Sequence, residues 1–251
     1  MLRVLLNAGC NPNSPTIGYK AYTALQLAVK DDSLEIVDIL IAAGSDVNHP
    51  PAFNGGATAI QLASKKGNIN LVKRLIELGA DVNSAPAPLY GATALQFAAI
   101  KGYLGIARVL IAAGADVNAG RALRDGRTAL EGTAEWGRID MLHLLLEHGA
   151  LVEGLGKKQY NRAVLLAEQN GHLAASKFVK SYGEWHESSN EHDVDADSDV
   201  DVGSDVDVDS DVDADFDEEC CDVDCENDLF DRAYLDAHED WYRERYKRNT
   251  H

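Results

Sequence analysis

The sequence predicts an all-α solenoid, in which units of helix, turn, helix and long loop repeat with a period of 35 residues. Two strings of residues recur at this step. A loop string, Gly-Ala-Asp-Val-Asn or a variant of it, occupies 9–13, 44–48, 79–83 and 114–118. A helix-start string, Thr-Ala followed by Leu or Ile and then Gln or Glu, begins at Thr23, Thr58, Thr93 and Thr128. Between the strings, apolar residues follow helical spacing, which indicates two short amphipathic helices in each unit.

The unit that begins at Thr58 shows how each element is predicted. Thr58 can cap the first helix, because its hydroxyl can accept a hydrogen bond from a first-turn amide. Gly67 interrupts the apolar pattern, and a second helix follows until Gly79, a residue type that adopts the left-handed conformation at helix ends. The next residues are rich in Pro, Asn and Gly and indicate a long loop. Helices this short are marginal alone, so stacking on neighbouring units must stabilise them.

The units account for the first 183 residues. We expect a half repeat at 2–13, full repeats at about 14–48, 49–83, 84–118 and 119–152, and a capping repeat at 153–183. In the cap, Ser176 and Lys180 replace apolar residues and indicate the polar outer face that a terminal repeat needs. The half repeat lacks a first helix. Either its start frays or, as we expect, the chain is incomplete at this end.

The repeated strings resemble those of the ankyrin-repeat family over about residues 2–183. Thr-Ala-Leu-Gln resembles the family's Thr-Pro-Leu-His, and Gly-Ala-Asp-Val-Asn resembles the end of its second helix. The style of the array is similar to that of arrays in filamentous fungi. Gln or Glu replaces the family's His, so we expect its loop hydrogen bond to be made differently. Gly132 stands where the other repeats have Leu or Phe, which predicts weaker packing of that repeat.

The resemblance implies a groove that binds a partner, formed by the loops, which are called fingers in this family, and the exposed face of the first helices. The matching positions are Tyr22, Lys30, Lys65, Lys66, Tyr90, Lys101, Arg127, Trp136 and Tyr160. The basic residues are expected to form a stripe that favours an acidic protein partner, with Tyr22, Tyr90 and Trp136 as aromatic anchors. The alternative interpretation is that these lysines only keep exposed helix positions soluble.

Charge separates this array from the rest of the chain. Residues 1–183 carry 18 Lys+Arg and 15 Asp+Glu, whereas residues 184–251 carry 5 and 26. Aspartate fills twelve of the odd positions in 193–217, so the segment 184–226 is expected to be disordered. Its register does not fit an EF-hand, and its cysteines lack the spacing of a zinc module. An amphipathic helix is predicted at 227–248.

These features predict a non-catalytic scaffold or adaptor that binds another protein in the groove. A hypothesis follows from the charges, namely that the acidic tail folds back onto the groove and competes with the partner. The first alternative is an acidic charge mimic or chaperone-like protein that binds basic proteins through the tail. No catalytic, cofactor or metal signature is present, so the second alternative, a fragment of a larger ankyrin-containing enzyme, is less favoured.

The composition also bears on location and assembly. The chain has only four cysteines in 251 residues, which indicates a reducing compartment. No apolar segment approaches the length of a membrane span. We therefore expect a monomeric intracellular protein, in the cytoplasm or the nucleus, with no membrane partner and no specific nucleic-acid signal.

Overall fold

The computed structural model describes Leu6 and residues 8–14, 22–52, 55–152 and 156–190. The tail and the C-terminal helix predicted for 184–226 and 227–248 lie outside the described residues from 191 onward. The described helices are α1 (Ala24–Lys30), α2 (Leu34–Ala42), α3 (Ala59–Lys66), α4 (Ile69–Glu77), α5 (Ala94–Lys101), α6 (Leu104–Ala112), α7 (Ala129–Glu135), α8 (Ile139–Glu147), α9 (Lys157–Gln169) and α10 (Leu173–Asn190). No strand occurs in this part of the chain, and the predicted all-α repeat fold is confirmed.

The helices stack as pairs. The first helices, α1, α3, α5, α7 and α9, contact one another in chain order, and each second helix packs against its own first helix. Leucines at one position of the second helix form the centre of the core. Leu40, Leu75, Leu110 and Leu145 recur at the 35-residue step and are each at most 1% exposed. The buried leucines therefore recur in the core at the same 35-residue interval as the strings of the sequence. Each repeat is stabilised by its neighbours.

Each of the first helices α1, α3, α5 and α7 begins with a reciprocal cap. In α3, the Thr58 hydroxyl accepts from the backbone N–H of Gln61, and the Gln61 side chain accepts from the backbone N–H of Thr58. The predicted cap at Thr58 is confirmed. This capping box satisfies two first-turn donors that helical hydrogen bonds leave free.

The glutamine of this box also holds the next loop. In α5, Gln96 Nε2 donates to the carbonyls of Ala119 and Gly120, both at 2.9 Å. Gln61 does the same with the carbonyls of Ser84 and Ala85. The loop hydrogen bond that we expected to be made differently is therefore made by glutamine. At the fourth repeat Glu131 has no amide to donate, and its carboxylate lies 3.8 Å from the Arg162 guanidinium.

The asparagine of the loop string links consecutive loops. Asn83 Nδ2 donates to the Gly114 carbonyl at 2.9 Å, and Asn83 Oδ1 accepts from the Asp116 N–H at 2.8 Å. The same pair of bonds is formed from Asn13, Asn48 and Asn118. The invariant step of this residue along the chain therefore has a physical cause, because each asparagine occupies the same place between two loops.

Packing at Gly132 differs from the expectation of a weak fourth repeat. A Cβ placed on Gly132 would lie 2.4 Å from Ile100 Cγ1 of the preceding repeat. Ile100 therefore fills the space that Leu or Phe occupies in the other repeats. The glycine leaves room for its neighbour, so a larger residue here would collide with Ile100.

The capping repeat differs from its prediction in two ways. Helix α10 continues to Asn190, past the boundary expected at 183. Ser176, predicted on a polar outer face, is only 2% exposed, and its hydroxyl donates to Glu168 at 2.8 Å. Lys180 Nζ also donates to Glu168 at 2.8 Å, and these two hydrogen bonds hold the pKa of Glu168 below its ordinary value. The polar residues of the cap thus join its two helices.

Candidate functional site

The finger tips form one connected edge. Each tip has a left-handed residue at the same position: Gly55 (φ 62°), Tyr90 (φ 58°) and Asp125 (φ 53°). The Gly55 N–H donates to the Leu89 carbonyl at 2.8 Å, and the Tyr90 N–H donates to the Arg124 carbonyl at 3.1 Å. These backbone hydrogen bonds run from one finger to the next. The tips are therefore held in place before any partner arrives.

Tyr90 combines strain with exposure. Its side chain is 51% exposed, and its left-handed backbone is uncommon for a bulky residue. The neighbouring finger has glycine at this position, so the turn itself does not require tyrosine. Strain of this kind is found most often at functional sites. These two properties are consistent with the prediction that Tyr90 contacts a partner.

We expect Tyr90→Gly to raise the free energy of unfolding by up to about 1 kcal/mol, because relief of the left-handed strain exceeds the entropic cost of glycine. Thermal or urea unfolding measures this change. Asp125→Gly is the matched control at the next tip, and it should stabilise by a similar amount. A clear loss of stability in Tyr90→Gly would mean that the tyrosine ring packs usefully against its finger.

The predicted lysines lie at the C-terminal ends of the first helices. Lys30, Lys65, Lys66 and Lys101 are all exposed. Lys30 Nζ lies 5.0 Å from the centre of the Tyr22 ring, and Lys65 Nζ lies 5.0 Å from that of Phe97. Both distances are within the range of a cation–π contact. The structure thus places exposed cations on three consecutive repeats, with Tyr22 under the first of them.

Arg127 and Tyr160 differ from the other predicted site residues. The Arg127 guanidinium pairs with both carboxylate oxygens of Glu135, at 2.9 and 3.4 Å, and each side chain is 24% exposed. Its charge is therefore balanced within its own repeat and does not extend the basic stripe. Tyr160 is half-buried and packs against the core.

Trp136 lies at the opposite end of its repeat from the fingers. It directly follows α7, where the chain turns toward α8, and 57% of the side chain is exposed. It lines a pocket of about 550 Å³ together with residues of the turns and of α6 and α8. Tyr90, by contrast, stands at a finger tip. The two aromatic residues thus occupy different elements, Tyr90 a finger tip and Trp136 the end of a first helix, and their shared role as anchors stays a prediction.

Several exposed residues were missed by the sequence reasoning. Arg121, Leu123 and Arg124 are exposed on the finger of the fourth repeat, next to its tip residue Asp125. Ile139, at the start of α8, is 41% exposed and lines the pocket of Trp136. Ile139 shares a repeat position with Leu34, which is 43% exposed. Helical spacing of apolar residues does not by itself distinguish an exposed residue at the start of a second helix from a core residue.

The described residues contain no group of three or more His, Cys, Asp or Glu side chains that could hold a metal ion. No helix in the same part of the chain is long and apolar enough to cross a membrane.

Stacked helix pairs whose loops are joined by hydrogen bonds define a repeat protein. The chain matches the family model for ankyrin repeats (3 copies) at residues 1–86, 25–121 and 85–154, which together span more than half of it. It belongs to the ankyrin-repeat family. No significantly similar curated protein was found. Ankyrin repeats are generally modules for protein–protein interaction and are typically non-catalytic.

Proposed function

We propose that this ankyrin-repeat chain is a non-catalytic scaffold or adaptor that binds an acidic surface of another protein. The observation that carries the proposal is the row of exposed lysines at the ends of the first helices, Lys30, Lys65, Lys66 and Lys101. Lys66 and Lys101 form no ion pair with any residue that the structure describes. Such a row attracts a negatively charged surface and steers its approach.

Reversing three of these charges tests the proposal. The variant Lys65→Glu, Lys66→Glu, Lys101→Glu is expected to bind acidic partners at least about tenfold more weakly, because like charges that face each other cost several kcal/mol. Affinity capture with the intact chain and with the variant, followed by titration of a purified partner in low and in high salt, measures this loss. The difference should shrink in high salt.

The matched control reverses three exposed charges on the second helices, as Lys73→Glu, Arg108→Glu, Lys177→Glu. It changes the net charge of the chain by the same amount. Lysine at a helix C-terminus also stabilises the helix through its dipole, so the charge reversals can lower stability. Thermal unfolding of both variants is therefore compared as well. Equal loss of binding in the two variants would show that net charge alone matters, and the proposed surface would be rejected.

A second candidate function is the binding of basic proteins by the tail. The observation that favours it is charge, since residues 184–251 carry 26 Asp+Glu against 5 Lys+Arg. Separate capture with 1–190 and with 191–251, a division that keeps α10 whole, discriminates the two functions. The scaffold requires acidic partners on the first piece, whereas the charge mimic requires basic partners on the second.

Regulation of the array by its own tail is a further part of the proposal, and it rests on the opposite charges alone. A tail that competes with the partner should weaken binding most in low salt. Deleting residues 191–251 should then tighten partner binding, and the gain should fall as salt is added. Partner affinity that is unchanged by the deletion and insensitive to salt would rule this regulation out.

A further inference from the structure

The pocket beside Trp136 is an unassigned feature on the edge of the array where each first helix turns into its second helix. It is an open depression of about 550 Å³, large enough to receive a side chain. The apolar lining comes from Leu104, Trp136, Ile139 and Met141. Arg138 and Asp140 supply its charged groups. If the array binds an acidic partner as proposed above, this pocket is the place where that partner can bury an apolar side chain.

Nothing in the helix geometry requires a tryptophan here. The equivalent positions of the preceding repeats hold Asp31, Lys66 and Lys101. Ile139 beside it is 41% exposed, and Trp136 is 57% exposed. Two adjacent apolar side chains thus face solvent at one site. Exposed tryptophans in such settings are enriched among the residues that dominate binding energy, because the indole offers a large apolar area with few rotatable bonds.

The walls of the pocket are fixed across the repeat boundary. Arg138 Nε donates to the Ile100 carbonyl at 3.0 Å. Its guanidinium lies against Gly102, where a Cβ would stand 2.4 Å from Nη1. On the other side, the His172 ring lies against Gly137 in the same way, 2.6 Å from a Cβ placed there. A site held by such contacts loses little freedom on binding.

Charge indicates which segment fits. Lys101 immediately precedes Gly102, a residue of the pocket lining, and Lys66 holds the same position one repeat earlier. Neighbouring helices lie roughly 10 Å apart, and an extended chain advances about 3.3 Å per residue. A bound segment with one side chain at Trp136 therefore passes Lys101 about three residues away and Lys66 about six residues away. Carboxylates at those positions would complement both lysines.

We propose that the pocket of Trp136 and Ile139 anchors a large apolar side chain of an acidic partner segment, with carboxylates about three and six residues from the anchor. The segment runs along the ends of the first helices, from Lys66 past Lys101 to Trp136. This edge is distinct from the finger tips around Tyr90. It gives the acidic partner of the proposed function a defined sequence pattern.

The probe is a fluorescein-labelled synthetic peptide in a Gly/Ser background. It carries one leucine, with glutamates about three and six residues to each side of it, so that either chain direction can bind. Two matched peptides replace the leucine by serine or the glutamates by glutamine. Anisotropy titrations use the full chain, and thermal unfolding checks that each variant is folded.

Trp136→Ala and Ile139→Ser are each expected to weaken binding of the leucine–glutamate peptide by about tenfold or more. Leu34→Ser is the control, because Leu34 has the repeat position of Ile139, is similarly exposed at 43% and lies far from the pocket along the chain. It should change affinity by less than about twofold. The serine and glutamine peptides should both bind the unaltered chain more weakly. If Leu34→Ser weakened peptide binding as much as Trp136→Ala and Ile139→Ser do, the pocket would not be the anchor site.

The same titrations separate this anchor from the broader function. Loss of binding in the Lys65, Lys66, Lys101 charge variant with full binding in Trp136→Ala would keep the acidic-partner function and overturn the anchor. No binding of the leucine–glutamate peptide to the unaltered chain, even in low salt, would overturn the anchor chemistry itself. Binding that depends on the leucine and on Trp136, but not on the lysines, would retain the pocket and reject the acidic pattern.

Discussion

Gln96→Leu is expected to lower the free energy of unfolding by about 3 kcal/mol, since three hydrogen bonds worth roughly 1 kcal/mol each are lost. The side chain of Gln96 accepts from the Thr93 N–H at 2.9 Å and donates to the carbonyls of Ala119 and Gly120 at 2.9 Å. The residue is 1% exposed, so water cannot replace the bond to Thr93. Urea unfolding of the full chain, followed by far-UV circular dichroism, measures the change.

Gln96→Glu separates the two roles of this residue. The carboxylate retains the acceptor for the Thr93 N–H but has no donor, and it would lie against two carbonyl oxygens. If capping were the main contribution, the glutamate would be tolerated. We expect it to be at least as destabilising as leucine, because an ionised group facing two acceptors is worse than an unmade bond. A fully stable glutamate variant would show that the tie to the loop contributes little.

Leu110→Ala is expected to cost about 2–5 kcal/mol, the range for removing a buried leucine and leaving a cavity. Leu110 is 0% exposed in α6, within the third full repeat. Each repeat contacts only its neighbours, so a weakened central repeat also weakens the coupling between the repeats before it and those after it. Thermal unfolding should therefore show a lower midpoint and a broader transition.

Leu165→Ala provides the control for this substitution. Leu165 lies in α9 and is 51% exposed, so the same chemical change removes little buried area. We expect a loss within about 0.5 kcal/mol, as for most surface substitutions. If both variants lost the same stability, the central position of Leu110 in the core would be contradicted.

Much of the fold was predictable because the same sequence pattern recurs in each repeat. Thr58 was recognised as a helix cap from its place before an apolar stripe, and each further copy of the string repeats the argument. The 35-residue step then fixed the number and the order of the units. What the step could not predict was which side chain makes the hydrogen bond to the next loop in place of the family's histidine. The amide of Gln61 bonds to the next loop, and this depends on a three-dimensional distance.

The candidate site was predicted less well for the same reason. A list of exposed positions does not show which side chains meet. Arg127 was counted as a free cation, but Glu135, eight residues later, pairs with it. Trp136 and Tyr90 were both predicted as aromatic anchors, but the sequence does not indicate how far apart a finger tip and the end of a first helix lie. The pocket itself combines side chains of two repeats, and no pattern within one repeat indicates it.

The bonds between repeats have a consequence for the history of the gene. Each glutamine joins residues 23 and 24 positions ahead, and each asparagine joins residues 31 and 33 positions ahead. Removing or duplicating a stretch of 35 residues within the array leaves each of these glutamine and asparagine bonds with a partner at the same spacing. The array is thus free to change its length by unequal recombination. Other contacts between repeats, such as those of Glu131 with Arg162 and of Arg138 with Ile100, are specific to one pair of repeats. The cap therefore stays with its own neighbour, whereas the bonds of the repeated strings tolerate a change in the number of repeats.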